Sequence, residues 1–325
     1  MGSLSVTNRG RPVVGYPRDE DSATDRMRPA SILPPFLRWA GGKRQIVREL
    51  INLLPDDIEK RLYREPFLGA GALFFALRPK RAVLSDANEH LIKCYEYVRD
   101  DWKSVARYLR QYARRNSQSY YYEVRKRYNR SHYSAAQAAR FIYLNKTCFN
   151  GIFRVNRRGQ FNVPYGWKEP PAIPTPANLR EIADALRGAT LRAASFATVL
   201  ADVSPNNFLY LDPPYPPLNE TAYFNHYIRG RFNKFDQEWL AAWVRKIDAK
   251  GCPFMMTNAD TDKIRRLYSG FRFLRLPVTR FITCKSVRHK VKELIITNYE
   301  VQGETRTKLG HCPQEHDTRT TLRIP

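Results

Sequence analysis

The stretch Asp212-Pro213-Pro214-Tyr215 directly follows the apolar run Phe208-Leu209-Tyr210-Leu211. Two consecutive prolines fix the backbone and remove two amide donors, so the nearby carbonyls and the Asp212 carboxylate are left to accept hydrogen bonds. An exocyclic amino group is a fitting donor for them, and Tyr215 adds a flat face on which a base could stack. A rigid proline turn after a strand is the plain alternative. Gly69 and Gly71 form a second set, because glycines after a strand permit a tight turn and close approach of a ligand to the backbone. A dinucleotide fingerprint would put its third glycine at position 74, where Phe74 stands, so nicotinamide chemistry loses support. Asp86 ends the strand-like run from Arg81, where a carboxylate can accept two hydrogen bonds from a ribose diol or simply cap the next helix. Gly41-Gly42-Lys43 offers amides and one cation to a small carboxylate or phosphate, without the spacing of a P-loop. An ordinary helix turn with an exposed lysine is its plain reading.

Other chemistries find no support. The H-x-E and P-C-x-x-C strings of zinc deaminases are absent, as is a G-x-S-x-G nucleophile elbow. His311, Cys312 and His316 sit in a polar tail and read as solvated, so no metal is expected. Five widely separated cysteines, Cys94, Cys148, Cys252, Cys284 and Cys312, point to reduced thiols in a cytosol. No signal peptide is read in residues 1 to 30.

The elements that must carry these residues alternate in the manner of an open α/β sheet. After Lys43, the spacing of Ile46, Val47, Leu50, Ile51 and Leu54 predicts an amphipathic helix closed by Pro55. Strands are predicted around 62 to 66 and 81 to 86, with helices at 72 to 77 and 88 to 102. Phe208 to Leu211 and Pro253 to Thr257 read as buried strands, and Asp236 as the N-cap of a helix between them. Glu293 to Tyr299 is a late strand paired with Leu276 to Thr283. Between the two halves the composition changes: residues 103 to 168 hold fifteen Lys or Arg against one acid, Glu123, which marks an inserted basic subdomain. Ser134 with Gln137 is a capping box there, and Asn150-Gly151 and Arg158-Gly159 mark the turns of a hairpin.

The length of 325 residues allows one large domain or two modest ones. No apolar run approaches the roughly 20 residues of a membrane span, so no membrane partner is expected. A net charge of +24 makes nucleic acid the first partner to consider.

With these motifs on the page, the chain resembles the Dam-type, D12 class DNA adenine N6-methyltransferases. The strings that carry the resemblance are F-L-R-W-A-G-G-K at 36 to 43, E-P-F-L-G-A-G at 65 to 71, S-D-A-N at 85 to 88, N-K-T-C-F-N-G-I-F-R-V-N-R-R-G-Q-F-N-V-P-Y-G at 145 to 166, and D-P-P-Y at 212 to 215. The resemblance spans roughly residues 36 to 300. It implies a Rossmann-like S-adenosylmethionine-dependent methyltransferase sheet with an inserted, mainly helical, hairpin-containing target-recognition domain. The expected division is a flexible arm at 1–30, a catalytic domain at 31–102 and 196–302, the recognition domain at 103–195, and a flexible tail at 303–325.

By matching motifs, the resemblance places Trp39, Lys43, Phe67, Gly69, Gly71, Asp86 and Asp212 around S-adenosylmethionine, with Asp86 on the ribose hydroxyls. Asp212 and the Pro213 carbonyl would take the N6 amino group of a flipped adenine, with Pro214 rigidifying the turn and Tyr215 stacking on the base. Arg154 would read a guanine, Phe149 would enter the base stack, and Arg38 would approach a flanking base pair. Asn150, Ile152 and Pro164 complete the implied DNA-binding set. The implied target is adenine in duplex GATC. The implied setting is cytoplasmic, associated with the nucleoid, as a monomer or weak dimer acting alone or beside a separate cognate restriction endonuclease. A silent DNA-binding regulator on the same scaffold, and methylation of RNA or of a protein glutamine, are the competing readings. Two departures from the family pattern, Val155 and Thr257-Asn258, are expected not to touch the assigned chemistry.

Overall fold

The computed structural model describes residues 32–167, 171–215, 232–280 and 289–301, with 277–280 and 289–292 as backbone alone. The arm at 1–30, the tail at 303–325 and the cysteines at 284 and 312 lie outside the described residues. The strands are β1 (Leu62–Glu65), β2 (Ala82–Asp86), β3 (Ala189–Ala193), β4 (Asn207–Leu211), β5 (Phe254–Ala259), β6 (Arg272–Arg280) and β7 (His289–Thr297). They form one sheet in the order β3-β2-β1-β4-β5-β7-β6. The first five run parallel, and β7 enters antiparallel between β5 and β6. This is the doubly wound, Rossmann-like architecture expected from the sequence. Strand order reverses between β1 and β4, and ligands of such sheets bind outside the carboxyl ends of the strands at that reversal.

Parallel strands are buried on both faces, which is why β4 reads as an unbroken apolar run. Side chains alternate across the sheet. Phe208, Tyr210, Met255 and Ile295 join one core, and Leu209, Leu211, Phe254, Met256, Leu294 and Ile296 the other. The helices are α1 (Val47–Asn52), α2 (Ala72–Leu77), α3 (Glu89–Arg114), α4 (Gln118–Tyr128), α5 (Ala135–Thr147), α6 (Pro176–Leu186), α7 (Phe196–Leu200), α8 (Lys234–Ala249) and α9 (Asp262–Leu267).

Several local expectations need correction. The helix expected to stop at Trp102 continues as α3 to Arg114, with a kink at Asp101 (φ −144°, ψ 53°). The Asp101 carboxylate accepts from the Ser104 amide at 3.2 Å and so caps the second half. The N-cap of α8 is Asn233, not Asp236. Asn233 accepts from the Phe235 and Asp236 amides while Asp236 returns a bond to Asn233, so the reciprocal box fixes an earlier start. Ser134 does cap α5, but the Gln137 side chain donates through Nε2 to the Tyr128 carbonyl at 2.8 Å, so no box closes there. β3 falls within the stretch the sequence reading gives to the insert; its short alternating pattern, buried only at Ala189 and Leu191, is a weak strand signal. After α5 the chain doubles back, with Cys148 paired to Tyr165 and Val155 to Phe161.

Candidate active site

Asp212 leaves the end of β4 at the strand-order reversal, and two side chains from distant parts of the chain meet its carboxylate. Lys43, ahead of α1, brings Nζ to 2.7 Å from Oδ1 and 2.8 Å from Oδ2. Thr257, on the neighbouring β5, donates its hydroxyl to Oδ1 at 2.7 Å. Tyr210 lies 3.4 Å from that hydroxyl. The Lys43 ammonium also donates to the Gly41 carbonyl at 2.7 Å and is only 5% exposed, so it serves Asp212 and is not the free cation its Gly-Gly-Lys context suggests. Thr257 therefore does touch Asp212, the residue to which the resemblance gives the chemistry, against the expectation from sequence. It is fully buried and stands where β4–β5 pairing, Leu211 opposite Met256, brings the next residue beside Asp212.

Tyr215 is held at the far end of the proline pair. Its phenol donates to Glu293, and Lys43 Nζ stands over its ring at 4.7 Å from the centroid. Burial, reinforced by the charges of Asp212 and Glu293, pushes the phenol pKa well up, so it stays a donor. Pro213 is buried and Pro214 exposed.

On the other side of the reversal, β1 runs into the glycine turn. Gly69 and Gly71 have φ of +48° and +66°, a region that favours glycine. A Cβ at Gly69 would stand 2.8 Å from the Trp39 ring, so glycine there also lets the indole lie on the turn. Asp86 accepts from the Gly69 amide at 3.0 Å and from the Asn88 amide at 2.9 Å. Burial raises its pKa against those two bonds. Asn88, not Asp86, caps α3. Glu65, at the end of β1, is buried, accepts from the Tyr63 phenol at 2.7 Å, and has its pKa pushed well up, chiefly by burial and then by the charges of Asp212 and Asp86. Phe67 does not join Trp39. It stacks on Phe196 at 5.4 Å and meets Phe232 edge-on.

The hairpin residues form a third group. Phe149 is 45% exposed and its amide donates to the Pro164 carbonyl at 2.9 Å. Asn150 turns the chain at φ +55°, and Ile152 is half-buried. The exposed Arg154 guanidinium is aimed by Asn162, donating through Nε to the side-chain oxygen at 2.8 Å. Arg38 is clamped beside them, because Asn145 of α5 accepts from its amide and donates to its carbonyl, both at 2.8 Å. Asn145 also donates to the Gly151 carbonyl at 3.1 Å. Lys146 has its pKa lowered to about 8 by burial and by Arg38 and Arg44, a cluster of cations suited to phosphate. Trp39 joins two of the three groups, lying on Gly69 and stacking on Phe153 of the hairpin at 6.1 Å.

Sequence reasoning missed Thr257, Glu293, Glu65 and Asn145 as members of this arrangement. Glu65 and Asn145 stand inside quoted motif strings, and an acid within the apolar strand β7 was the signal at Glu293. For Phe196 there was no signal beyond an aromatic at a helix start.

The chain matches the family model described as D12 class N6 adenine-specific DNA methyltransferase over residues 39–282. It is 36% identical to the type II methyltransferase M.MjaIII of Methanocaldococcus jannaschii over 285 residues, covering 82% of this chain and 99% of that one. It is 35% identical to the type II methyltransferase M1.LlaDCHI of Lactococcus lactis subsp. cremoris, covering 82% and 96%. Similarity to the DNA adenine methylase of Escherichia coli strain K12 is 34% identity over 269 residues, covering 80% and 93%.

Proposed function

Because the chain belongs to the D12 class N6 adenine-specific DNA methyltransferases, we propose that it moves the methyl group of S-adenosylmethionine to N6 of an adenine flipped out of duplex GATC. The observation that carries this is Asp212 at the sheet's reversal point, held by Lys43 and Thr257 beside the buried Pro213. Adenine N6 is a poor nucleophile because its lone pair is delocalised into the ring. Acceptors at Asp212 and the Pro213 carbonyl favour a more pyramidal nitrogen and stabilise the positive charge that develops on it. Tyr215 offers its ring to the base, and Phe149, exposed on the hairpin, fills the gap the base leaves, offsetting an unstacking cost of a few kcal/mol.

The residues at the carboxyl edge suit the proposed donor. Asp86 spends one bond on each oxygen and keeps acceptor capacity for two hydroxyls, since a carboxylate has about four acceptor sites. Trp39, Gly69 and Gly71 would hold the donor against the turn, with Phe67 beside it. When bound, S-adenosylmethionine supplies an electrophilic methyl on a sulfonium. The hairpin supports the proposed DNA target: Arg154, bonded to Asn162, suits the O6 and N7 of a guanine, and the cations around Lys146 suit flanking phosphates. The basic insert, from the second half of α3 through the hairpin, is proposed as the target-recognition domain. Acting on chromosomal DNA would place the protein with the nucleoid.

Labelled methyl transfer to duplexes carrying GATC or a single-base variant tests the reading. Discrimination against a replaced guanine of roughly 10- to 100-fold is expected from one bidentate contact. Equal labelling of GATC and its variants would refute the proposed target.

A further inference from the structure

Glu293 is a carboxylate that the proposed chemistry leaves without a task, although it is 1% exposed and sits on β7 opposite Ala259 of β5. A buried charge is costly unless it is paired. Its partners are the active-site residues themselves: it accepts from the Tyr215 phenol, and Oε1 lies 3.6 Å from Lys43 Nζ. Lys43 in turn holds Asp212. Both ends of Asp212-Pro213-Pro214-Tyr215 are thus tied to the scaffold through side chains. The prolines supply no amide donors with which the segment could anchor itself.

We infer that Glu293 is a positioning residue, which from β7 fixes the Tyr215 ring by its phenol and restrains Lys43 so that Asp212 keeps acceptor capacity for the adenine amine. The inference rests on reading Asp212 and Tyr215 as the residues that receive the base. Without the carboxylate, the Tyr215 phenol loses one of its partners, keeping its side-chain bond with Thr257, and the Lys43 ammonium is left to Asp212 and the Gly41 carbonyl. The ring also carries Lys43 over one face, so movement of the phenol disturbs both halves of the arrangement.

The test compares full-length Glu293→Gln, Glu293→Ala, Tyr215→Phe and the Ala/Phe double variant. It reads single-turnover methyl transfer to a GATC duplex, S-adenosylmethionine affinity by calorimetry, and the emission of 2-aminopurine replacing the target adenine. Loss of a hydrogen bond to a charged group is expected to slow transfer by Glu293→Ala about 10- to 100-fold and to change the 2-aminopurine signal. Cofactor affinity is expected to stay near the wild-type value. Glu293→Gln, whose amide oxygen still accepts from the phenol, should recover most of the rate. The double variant should be slowed by less than the product of the two single losses, because both changes remove the Tyr215–Glu293 bond, although Tyr215→Phe also removes a bond to Thr257. Additive losses, a glutamine variant as slow as the alanine one, or a parallel collapse of cofactor affinity would each overturn the inference. If Glu293→Ala does not fold, Tyr215→Phe reads the same bond from its other end, and a wild-type rate there would overturn it. A wild-type protein that fails to methylate GATC would instead sink the reading on which the inference stands.

Discussion

A carboxylate receives an incoming amine well only if its own lone pairs are aimed and not exhausted by the scaffold. Asp212 meets that condition through two unlike partners, a lysine with a long flexible stem and a threonine hydroxyl fixed on a central strand. Of the two, Thr257 sets direction more firmly, because it is fully buried and its χ1 is restricted by branching at Cβ. Thr257→Val keeps the shape and removes the hydroxyl, and should lower the methyl-transfer rate about 10- to 100-fold, the value of one hydrogen bond to a charged group. Thr257→Ser should restore it. Rates for the two variants at saturating DNA and cofactor check this, and a valine variant at full rate would show that Lys43 alone suffices.

At the scale of elements, α5 places the hairpin proposed to read DNA relative to the segment that carries Arg38, Trp39 and Lys43. The link is Asn145, with two bonds to Arg38 and one to the Gly151 carbonyl. Gly151 itself has φ +65°, and a Cβ there would stand 2.5 Å from Arg38 Cδ, so the approach is close as well as bonded. Asn145→Ala should cost about 1–3 kcal/mol of stability, because it leaves buried backbone groups without partners. It should also weaken discrimination between GATC and its variants more than it weakens cofactor binding. Thermal melting and the labelling comparison measure both.

Elements of this kind were unevenly legible in the sequence. The unbroken apolar run of β4 and the proline pair after it announced a strand and an acceptor-rich end, and the glycine turn announced itself by spacing. β3 did not, since an edge strand with two buried positions has little hydrophobic signature. The true start of α8 depended on Asn233 and Asp236 each reaching the other's amide, which is a matter of geometry. Lys43, Thr257 and Glu293 converge on Asp212 and Tyr215 from separations of 169, 45 and 78 residues, a convergence created by strand order that no local pattern contains.

Across the whole molecule, the charge of +24 is unevenly laid out. In the first half of α3, Lys93 pairs with Glu96 and Arg99 with Asp100. Beyond the kink, Lys103, Arg107, Arg110 and Arg114 follow at helical spacing on one exposed face, and none is in an ion pair among the described residues. If this stripe meets duplex phosphates, replacing the three arginines by glutamine should reduce the slope of log affinity against log salt by about 1–3 units, leaving base preference unchanged. An unchanged slope would identify the stripe as a solvated face. Such terms would bring DNA to the protein, whereas the proposed chemistry rests on Asp212. The most direct measurement is single-turnover methyl transfer to a GATC duplex by Asp212→Ala, with S-adenosylmethionine binding measured on the same preparation. The account predicts a fall in rate of about 100-fold or more, the loss seen when one preorganised electrostatic partner of a transition state is removed, in a folded protein that still binds the donor. Transfer at the wild-type rate would contradict it.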